Sequence, residues 1–516
     1  MSEQAITASG TLEKAPARDV SGQHRLGRNV AFAWGGYLVN IVAGFIMPRL
    51  ISDRLGQSTL GIWDFCWSVV SYFGLVQLGL SGSVQRYVAK YRALGDTGAL
   101  SRSVSTIGLS LKISGALAGV LSIAAAFWFV PLFGSRLGPQ TDAARMIVLF
   151  LGLEASISIL LTVYGGILVG CHRWDIHNFI SALCYAVMTA GMIIALLAGG
   201  GLTSLAVIHC LSMSVGEVAR WVMARRVCPE FEMNVRLANW EDWMEQARFS
   251  AKSMVPRIAD LISNQSLALL ITGFLGPAML AVYSRPRGLM RQGQTIAAKF
   301  GSILIPTASS LQAQAEKSAL RSTFLASSGF IASVTMPVVA VLVVFGDDLL
   351  RIWMGSAYVY KGLMAVLPIG CFPSLIQEPV WSILSGMNRH GSLAIWKLAA
   401  ALCSAIALAI GMCFFHWKLL GAAIAFAVPQ FLLDAAVAPT IACQLLDVSV
   451  ARYYANAYLK PLPGALAAAL CLKASFWAYR SAPWAAILLA ALAAGVLGFV
   501  YLRAFSCLRS GVKVEA

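Results

Sequence analysis

Four cations fall within one apolar stretch of the chain. Arg285, Arg287, Arg291 and Lys299 lie in residues 278–306, which are otherwise apolar enough and long enough for one membrane-crossing helix. A charge in the hydrocarbon core costs about 2.5–3.5 kcal/mol on insertion scales, so such residues usually face a cavity or a partner. The segment therefore predicts a cationic cavity inside a membrane protein.

Helical geometry separates the four cations by depth. A rise of about 1.5 Å per residue puts Arg287 and Arg291 near the membrane midplane, and their spacing of four residues puts them on one helix face. Arg285 lies nearer the outer mouth and Lys299 nearer the inner mouth, while Pro286 weakens the helix between them. The alternatives are that these cations extend to the headgroups, pair with acids of neighbouring spans, or lie in a stretch that does not span.

Acidic residues within apolar stretches are the second group. Arg257 and Asp260 lie three residues apart on one face of residues 253–275. In one interpretation they form a local ion pair. In the other, Arg257 belongs to the inner mouth of the cavity and Asp260 couples transport to H⁺ or Na⁺.

Three further acids are expected to face the interior of the bundle. Glu154 is the candidate for ion coupling in the first half of the chain. Glu378 and Asp434, in the second half, are candidate cavity acids and candidate partners for the arginines of residues 278–306.

Composition identifies the environment that must hold these residues. The 516-residue chain is 58% hydrophobic and only 12% charged, whereas a soluble chain carries about 25% charged residues. This excludes soluble multidomain, disordered and coiled-coil classes and predicts an all-α polytopic membrane protein. The net charge of +16 is assigned to cytoplasmic loops that face anionic headgroups and not to a nucleic-acid surface.

Hydropathy predicts about 14 transmembrane helices, each near the roughly 20 residues that cross a bilayer. The predicted spans are residues 29–50, 59–81, 105–131, 146–170, 177–199, 202–224, 253–275, 278–306, 323–345, 362–386, 392–415, 419–444, 461–478 and 483–505.

The longest cytoplasmic connector divides the first six predicted spans from the next six, and two further spans follow at the C-terminal end. Lys and Arg in the connectors are concentrated on the side that carries both termini, which predicts that both termini are cytoplasmic. The predicted segments are a cytoplasmic tail (1–28), the N-lobe (29–224), a cytoplasmic connector (225–252), the C-lobe (253–445), the two last helices (446–505) and a second tail (506–516).

Two local features support this division. The connector 225–252 contains Trp240 and Trp243 among mixed charges, which predicts a short interfacial helix. The segment Leu55–Trp63 also resembles Leu275–Tyr283 at a constant offset, and both fall at the outer turn of the first hairpin of each lobe. Parallel repeats about an axis normal to the membrane would place them there.

Catalytic, cofactor and metal patterns are not found in the sequence. The six histidines are never paired at ligand spacing, the eleven cysteines form no CxxC motif, and no phosphate-binding nucleotide loop is present. The sequence therefore predicts a transporter, not an enzyme, with no cofactor and no metal.

Several motifs resemble a known family. The matching residues are Pro48-Arg49, Leu55-Gly56, Leu60-Gly61-Ile62-Trp63, Leu78-Gly79-Leu80, Arg86-Tyr87-Val88, Leu350-Arg351-Ile352-Trp353-Met354-Gly355, Tyr358 and Leu363. With these motifs the chain resembles the Wzx-type polysaccharide and O-antigen flippases of the multidrug/oligosaccharidyl-lipid/polysaccharide exporter superfamily.

The resemblance implies an all-α fold of two six-helix lobes around a central cavity plus two C-terminal helices, and it also implies a function. Such a protein in the bacterial inner membrane would turn an undecaprenyl-pyrophosphate-linked oligosaccharide from the cytoplasmic to the periplasmic leaflet, for exopolysaccharide, O-antigen or capsule synthesis. Its partners would be the lipid-linked oligosaccharide, membrane lipids, H⁺ or Na⁺, and a polysaccharide polymerase or export machinery. A pyrophosphate crosses a low-dielectric interior only beside fixed cations, and guanidinium groups match its oxygens.

Three alternatives stay open at this point. They are an ion-coupled drug antiporter of the same superfamily, a peptidoglycan lipid flippase, and a membrane-embedded glycosyltransferase or polymerase. A cation-drug antiporter would favour an acidic cavity, and a glycosyltransferase would need a larger outer loop than this sequence contains.

Overall fold

The computed structural model describes residues 26–77 and 79–478, and this part of the chain is almost entirely helical, without β-strands. The N-terminal half contains α1 (Leu26–Leu55), α2 (Gln57–Ser71), α3 (Leu80–Leu94), α4 (Thr97–Ala124), α5 (Gly134–Leu137), α6 (Thr141–Gly170), α7 (Trp174–Leu197) and α8 (Leu202–Val227).

The C-terminal half begins in the connector. Its helices are α9 (Trp240–Leu261), α10 (Leu267–Leu275), α11 (Pro277–Ala313), α12 (Lys317–Met354), α13 (Leu363–Ile376), α14 (Glu378–Gly386), α15 (Gly391–Phe414), α16 (Leu419–Leu432), α17 (Ala438–Leu446), α18 (Val450–Tyr454) and α19 (Leu462–Ala478).

Ten segments of the described chain are long and apolar enough to cross a membrane, which confirms the polytopic all-α class. One of them, Thr97–Gly170, contains both α4 and α6 and so accounts for two predicted spans. The charged α11 is not among the ten, although it forms a helix of 37 residues. The predicted span 483–505 and both predicted tails up to residue 25 and from residue 506 lie outside the described residues.

The connector helix is longer than expected. Asn239 caps the N-terminus of α9 through a side-chain hydrogen bond to the amide of Glu241. The rings of Trp240 and Trp243 stack at 4.5 Å, and α9 continues through a π-helical turn, Ile262–Ser266, into α10. The predicted connector helix and the seventh span are therefore joined.

The internal repeat has a matching backbone. Gly56 (φ 92°, ψ 162°) precedes α2, and Gly276 (φ 87°, ψ 166°) precedes α11. Only glycine adopts this positive-φ region without strain. Each glycine accepts a hydrogen bond from the leucine four residues later, Leu60 or Leu280. The same turn therefore starts an equivalent helix in each half.

The two halves share a hydrophobic core at one end of the bundle, which we call the Gly56 end. There, Phe65 of α2 belongs to the same buried cluster as Tyr283 of α11 and Leu350 of α12. Away from this end the C-terminal half has its own cluster, which includes Phe324 and Ile383. The halves are thus packed together at the Gly56 end and have separate cores elsewhere.

Polar contacts also join the halves at the Gly56 end. Arg49 donates to the carbonyl of Trp353 at 2.9 Å, and the indole of Trp353 donates to the carbonyl of Phe45 at 2.8 Å. The hydroxyl of Tyr358 bonds Ser52 at 2.7 Å, and burial raises the pKa of this tyrosine. These bonds close the bundle above the central cavity.

Candidate functional site

A cavity of about 340 Å³ lies between the two halves below the Gly56 end. Its wall is formed by α1, α2, α10, α11, the π-helical turn before α10 and the end of α12. The lining residues used below are Asp64, Asn264, Arg285, Arg287, Arg291 and Gln292. Three of the four cations of α11 therefore border one cavity. For Arg287 and Arg291, the sequence indicates this through their position on one helix face.

α11 is continuous through its prolines. Pro286 and Pro306 both lie inside the helix Pro277–Ala313, although a proline removes one backbone hydrogen bond. The expected weak point at Pro286 does not end the helix. Arg287 and Arg291 are thus held on one uninterrupted element, one turn apart.

Arg285 is neutralised by an acid of the other half. Its guanidinium forms an ion pair with the carboxylate of Asp64 on α2, and Ser284 lies beside this carboxylate. Arg285 is only 7% exposed, and its Nε is buried without a hydrogen-bond partner. This differs from an accessible cation at the outer mouth.

Arg287 has neutral partners. It donates to the side-chain amide oxygen of Asn264 at 2.8 Å and lies 3.4 Å from the side-chain oxygen of Gln294. It also stacks over Phe426, with its guanidinium carbon 4.8 Å from the ring centroid. Its Nε is buried and unpartnered. No carboxylate of the described chain pairs with it, so its positive charge is uncompensated.

Arg291 lies one turn further along α11, exposed in the wall of the cavity and without an ion-pair partner in the described chain. Lys299 lies beyond the cavity lining and is placed over the rings of Trp34 (5.6 Å) and Tyr37 (4.5 Å) of α1. Lys299 thus belongs to the contact between α1 and α11, and only the arginines border the cavity.

The charges that border the cavity do not cancel. Three guanidinium groups and one carboxylate, that of Asp64, leave a net charge of +2 in a cavity of about 340 Å³ between apolar helices. Buried charges of one sign attract a mobile ion of the opposite sign far more strongly than they would in water. The arrangement is chemically suited to an anion with two negative charges.

Three acids of the C-lobe lie around one lysine, Lys397, and of these acids Asp260 also acts on Arg291. Asp260 pairs with Lys397 of α15 at 2.8 Å instead of with Arg257, which is exposed. Lys397 also acts electrostatically on Glu378 and Asp434. The predicted pairing of these two acids with the α11 arginines is therefore corrected: they belong to a separate cluster around Lys397.

The position of Glu378 makes this separation clear. Its carboxylate approaches Gly301 of α11, ten residues beyond Arg291 and hence about 15 Å further along the helix. Asp434, which is 4% exposed, lies in a π-helical turn, Leu433–Val437, beside Trp381.

Glu154 lies in a third charged group, inside the N-terminal half. Glu217 and Arg220 of α8 form an ion pair of 2.5 Å, with 12% of each side chain exposed, and Ser181 accepts a second bond from Arg220 at 2.8 Å. Both charges of this pair act on Glu154. Glu154 is therefore the second carboxylate beside one guanidinium and is not isolated.

Asp64 and Lys397 carry more of the site than the sequence indicated. Asp64 is one of several scattered acids in apolar sequence, and Lys397 is a single cation in an otherwise apolar span. Each becomes notable only through a partner more than 100 residues away. Within the described residues, no three His, Cys, Asp or Glu side chains are arranged to hold a metal ion.

The comparisons with known proteins agree with this architecture. The family model described as "Polysaccharide biosynthesis protein" matches residues 102–360, which is half of the chain. A sequence comparison with curated proteins gives no match.

Solved structures of membrane transporters share the fold. The lipid II flippase MurJ in an inward closed conformation superposes with a TM-score of 0.69 at 11% identity, covering 94% of this chain and 100% of its own. An inward-facing multidrug resistance MATE transporter of the MOP superfamily gives 0.67 at 15% identity, covering 81% and 98%. An outward-facing transporter of that family gives 0.54 at 14% identity, covering 83% and 96%.

Proposed function

The chain belongs to the polysaccharide biosynthesis protein family, and on that premise we propose that it turns an undecaprenyl-pyrophosphate-linked oligosaccharide from the inner to the outer leaflet of the bacterial inner membrane. The cationic cavity holds the diphosphate during the crossing, and the polyprenyl tail stays in lipid. The product then passes to a polysaccharide polymerase or export machinery.

The observation that carries this proposal is the positive charge of Arg287 and Arg291 in the cavity, where neither arginine forms an ion pair with an acid of the described chain. A diphosphate that links a sugar to a prenol carries two negative charges near neutral pH, equal and opposite to the net charge of the lining. Charge-assisted bonds from guanidinium groups to phosphate oxygens are roughly twice as strong as bonds between neutral groups. The cavity lowers the cost of moving the diphosphate through the apolar layer.

The cavity volume limits what it encloses. At about 340 Å³ it is near the small end of ligand pockets, which span about 300–1,000 Å³. It accommodates the diphosphate and the first sugar, while the remaining sugars extend away from the Gly56 end, where the two halves have separate cores.

Two observations support an orientation with the Gly56 end outside. The connectors at the opposite end carry most of the Lys and Arg residues, which is typical of the cytoplasmic side. The chain also superposes better on the inward-facing transporter than on the outward-facing one, and its Gly56 end is closed. The substrate therefore enters from the cytoplasm, and the lobes rock to open the Gly56 end.

The cluster around Lys397 is our candidate for coupling to an ion gradient. Asp260 is 57% exposed and already paired, and Lys397 supplies there the positive charge that a bound Na⁺ would otherwise supply. We therefore favour H⁺ over Na⁺ for Asp260, with Glu378 and Asp434 as further proton carriers. Glu154, beside the Glu217–Arg220 pair, is the corresponding candidate in the N-lobe.

Two other superfamily functions differ in the ligand they require. A drug antiporter for cations would have to place a positive ligand in a positive lining, which is electrostatically unfavourable. A peptidoglycan lipid flippase would use the same diphosphate chemistry, so its substrate serves as a second arm of the test.

The test is flipping by the purified chain in liposomes. The double variant Arg287→Gln/Arg291→Gln should lower the rate at which a fluorescent undecaprenyl-diphosphate oligosaccharide becomes accessible on the far leaflet by at least about 100-fold, since two charge-assisted bonds of about 1.5–3 kcal/mol each are lost. The same liposomes supplied with a peptidoglycan lipid precursor distinguish the two flippase substrates.

The matched control is Arg145→Gln/Arg351→Gln. Both residues are arginines near the Gly56 end, Arg145 half-buried and Arg351 exposed, and each forms an ion pair with an acid three residues before it (Asp142 and Asp348). The control removes the same charge outside the cavity and should flip at the rate of the unmodified protein. Equal rates for the cavity variant and its control would overturn the proposal.

A further inference from the structure

The ion pair between Asp64 and Arg285 connects the two lobes on the side of the cavity that faces the Gly56 end. We call this side, formed by α2 and α11, the roof of the cavity. Asp64 lies on α2 of the N-lobe and Arg285 on α11 of the C-lobe. Asp64 supplies the only carboxylate among the cavity-lining residues of the described chain. One cation of the proposed substrate site is thus already occupied by an anion of the protein itself.

We propose that Asp64 is an internal competitor of the substrate: the incoming diphosphate takes Arg285 from Asp64, and the loss of this ion pair releases the lobes at the Gly56 end. The inference rests on the proposed function, because it requires an anionic substrate in this cavity. It assigns Asp64 as a positioning residue that links occupancy of the site to opening of the outer side.

Electrostatics favours the exchange once the cavity is filled. A diphosphate near Arg287 and Arg291 brings two negative charges close to the Asp64 carboxylate, and like charges at short range in a low-dielectric site repel strongly. Arg285 has a buried Nε without a partner, and a diphosphate offers more acceptor oxygens than a carboxylate. Arg285 therefore gains a better partner, while Asp64 retains only Ser284.

Once the diphosphate has taken Arg285, the Asp64 carboxylate must be hydrated. An ionised carboxylate without a cation is costly in a buried position, and its way to solvent is through the roof formed by α2 and α11. The two helices of the roof are in direct contact three residues before Asp64, where Gly61 of α2 packs against the carbonyl of Pro277. Separation of the two helices at this point hydrates Asp64 and opens the cavity outward.

The same argument predicts which state the substrate prefers. A ligand that binds the open state more tightly than the closed one shifts the population toward opening by its differential affinity. Without ligand, the Asp64–Arg285 pair keeps the Gly56 end closed, which prevents an empty carrier from leaking ions.

The experiment measures two properties of purified full-length protein in nanodiscs. The first is the affinity for undecaprenyl diphosphate. The second is hydrogen–deuterium exchange of the backbone amides of residues 52–61 and 353–359, at the Gly56 end. In the unmodified protein, the ligand should increase exchange in both peptides.

Asp64→Asn removes the competing charge and keeps the side-chain shape. We expect undecaprenyl diphosphate to bind about tenfold more tightly, equivalent to about 1.4 kcal/mol, and exchange at the Gly56 end to be raised already without ligand. Asp64→Asn/Arg285→Gln removes both charges and should keep the raised exchange but lose the gain in affinity. Asp64→Glu keeps the ion pair, and it serves as the folded variant if Asp64→Asn, in which Arg285 is unpaired, does not fold.

The control is Asp142→Asn, which removes one acid near the Gly56 end from a pair contained within α6. It should leave affinity and exchange unchanged. If the unmodified protein fails to bind undecaprenyl diphosphate, the proposed function falls. If it binds, but Asp64→Asn binds no more tightly or shows no added exchange at the Gly56 end, the competition proposed here is refuted while the proposed function stands.

Discussion

Gly61 gives the sharpest test of how the lobes close. A β-carbon added at this position would lie 1.7 Å from the carbonyl oxygen of Pro277 and 2.4 Å from its carbonyl carbon. The contact is with backbone, which cannot move aside as a side chain does. Gly61→Ala should therefore disfavour the closed state and leave the outward-open state, in which α2 and α11 separate, free of this clash.

The size of the effect follows from the overlap. Ordinary contacts of a β-carbon begin near 3.4 Å, so the two helices must separate by about 1.7 Å at this point. Overpacking of this kind costs about 1–3 kcal/mol. A cost of that size shifts a two-state equilibrium by about 5- to 150-fold. The open state should gain this factor relative to the closed one.

The assay is hydrogen–deuterium exchange of residues 52–61 and 353–359 without ligand. Gly82→Ala is the matched control, because Gly82 also lies within a helix and has no atom within 4 Å of its added β-carbon. Both substitutions gain the same helix propensity of about 1 kcal/mol. If exchange rises equally in both variants or in neither, the close approach of α2 to Pro277 does not hold the outer side closed.

Two further predictions concern charges away from the cavity. Asp260→Asn should weaken the dependence of flipping on an imposed proton gradient while basal flipping in its absence persists; a fully gradient-driven rate in liposomes would remove Asp260 from the coupling role. Glu217→Gln removes the acid that pairs with Arg220 and leaves only Glu154 near it. This should lower the free energy of unfolding by about 2 kcal/mol with unchanged affinity for undecaprenyl diphosphate, and an unchanged thermal midpoint in detergent would contradict the structural role of this pair.

The helices were predictable because the bilayer acts as the solvent. Each span must satisfy its backbone internally and present apolar side chains, so its sequence alone indicates it. The span 278–306 was recognisable in spite of its four cations, and it became α11 (Pro277–Ala313). The common face of Arg287 and Arg291 followed from helical spacing, which is a local property.

The partners of the charged residues were not predictable in the same way. Asp260 has a cation three residues before it, Arg257, yet it pairs with Lys397 on a helix more than 100 residues away. Which of the two it meets depends on the rotation and packing of whole helices. Sequence spacing carries information about a single helix and none about which face of another helix lies opposite.

The internal repeat explains why Asp64 and Arg285 meet. Residues of the two repeats that lie close to their common axis face each other, and Asp64 corresponds in the repeat to Ser284, which lies beside it. Had both repeats kept an acid there, two carboxylates would repel across the roof of the cavity. The halves differ at this point: one has the acid, and the other has a hydroxyl followed by Arg285. The matching turns at Gly56 and Gly276 bring α2 and α11 together, and this difference in side chains makes their contact an attraction that a diphosphate can disrupt.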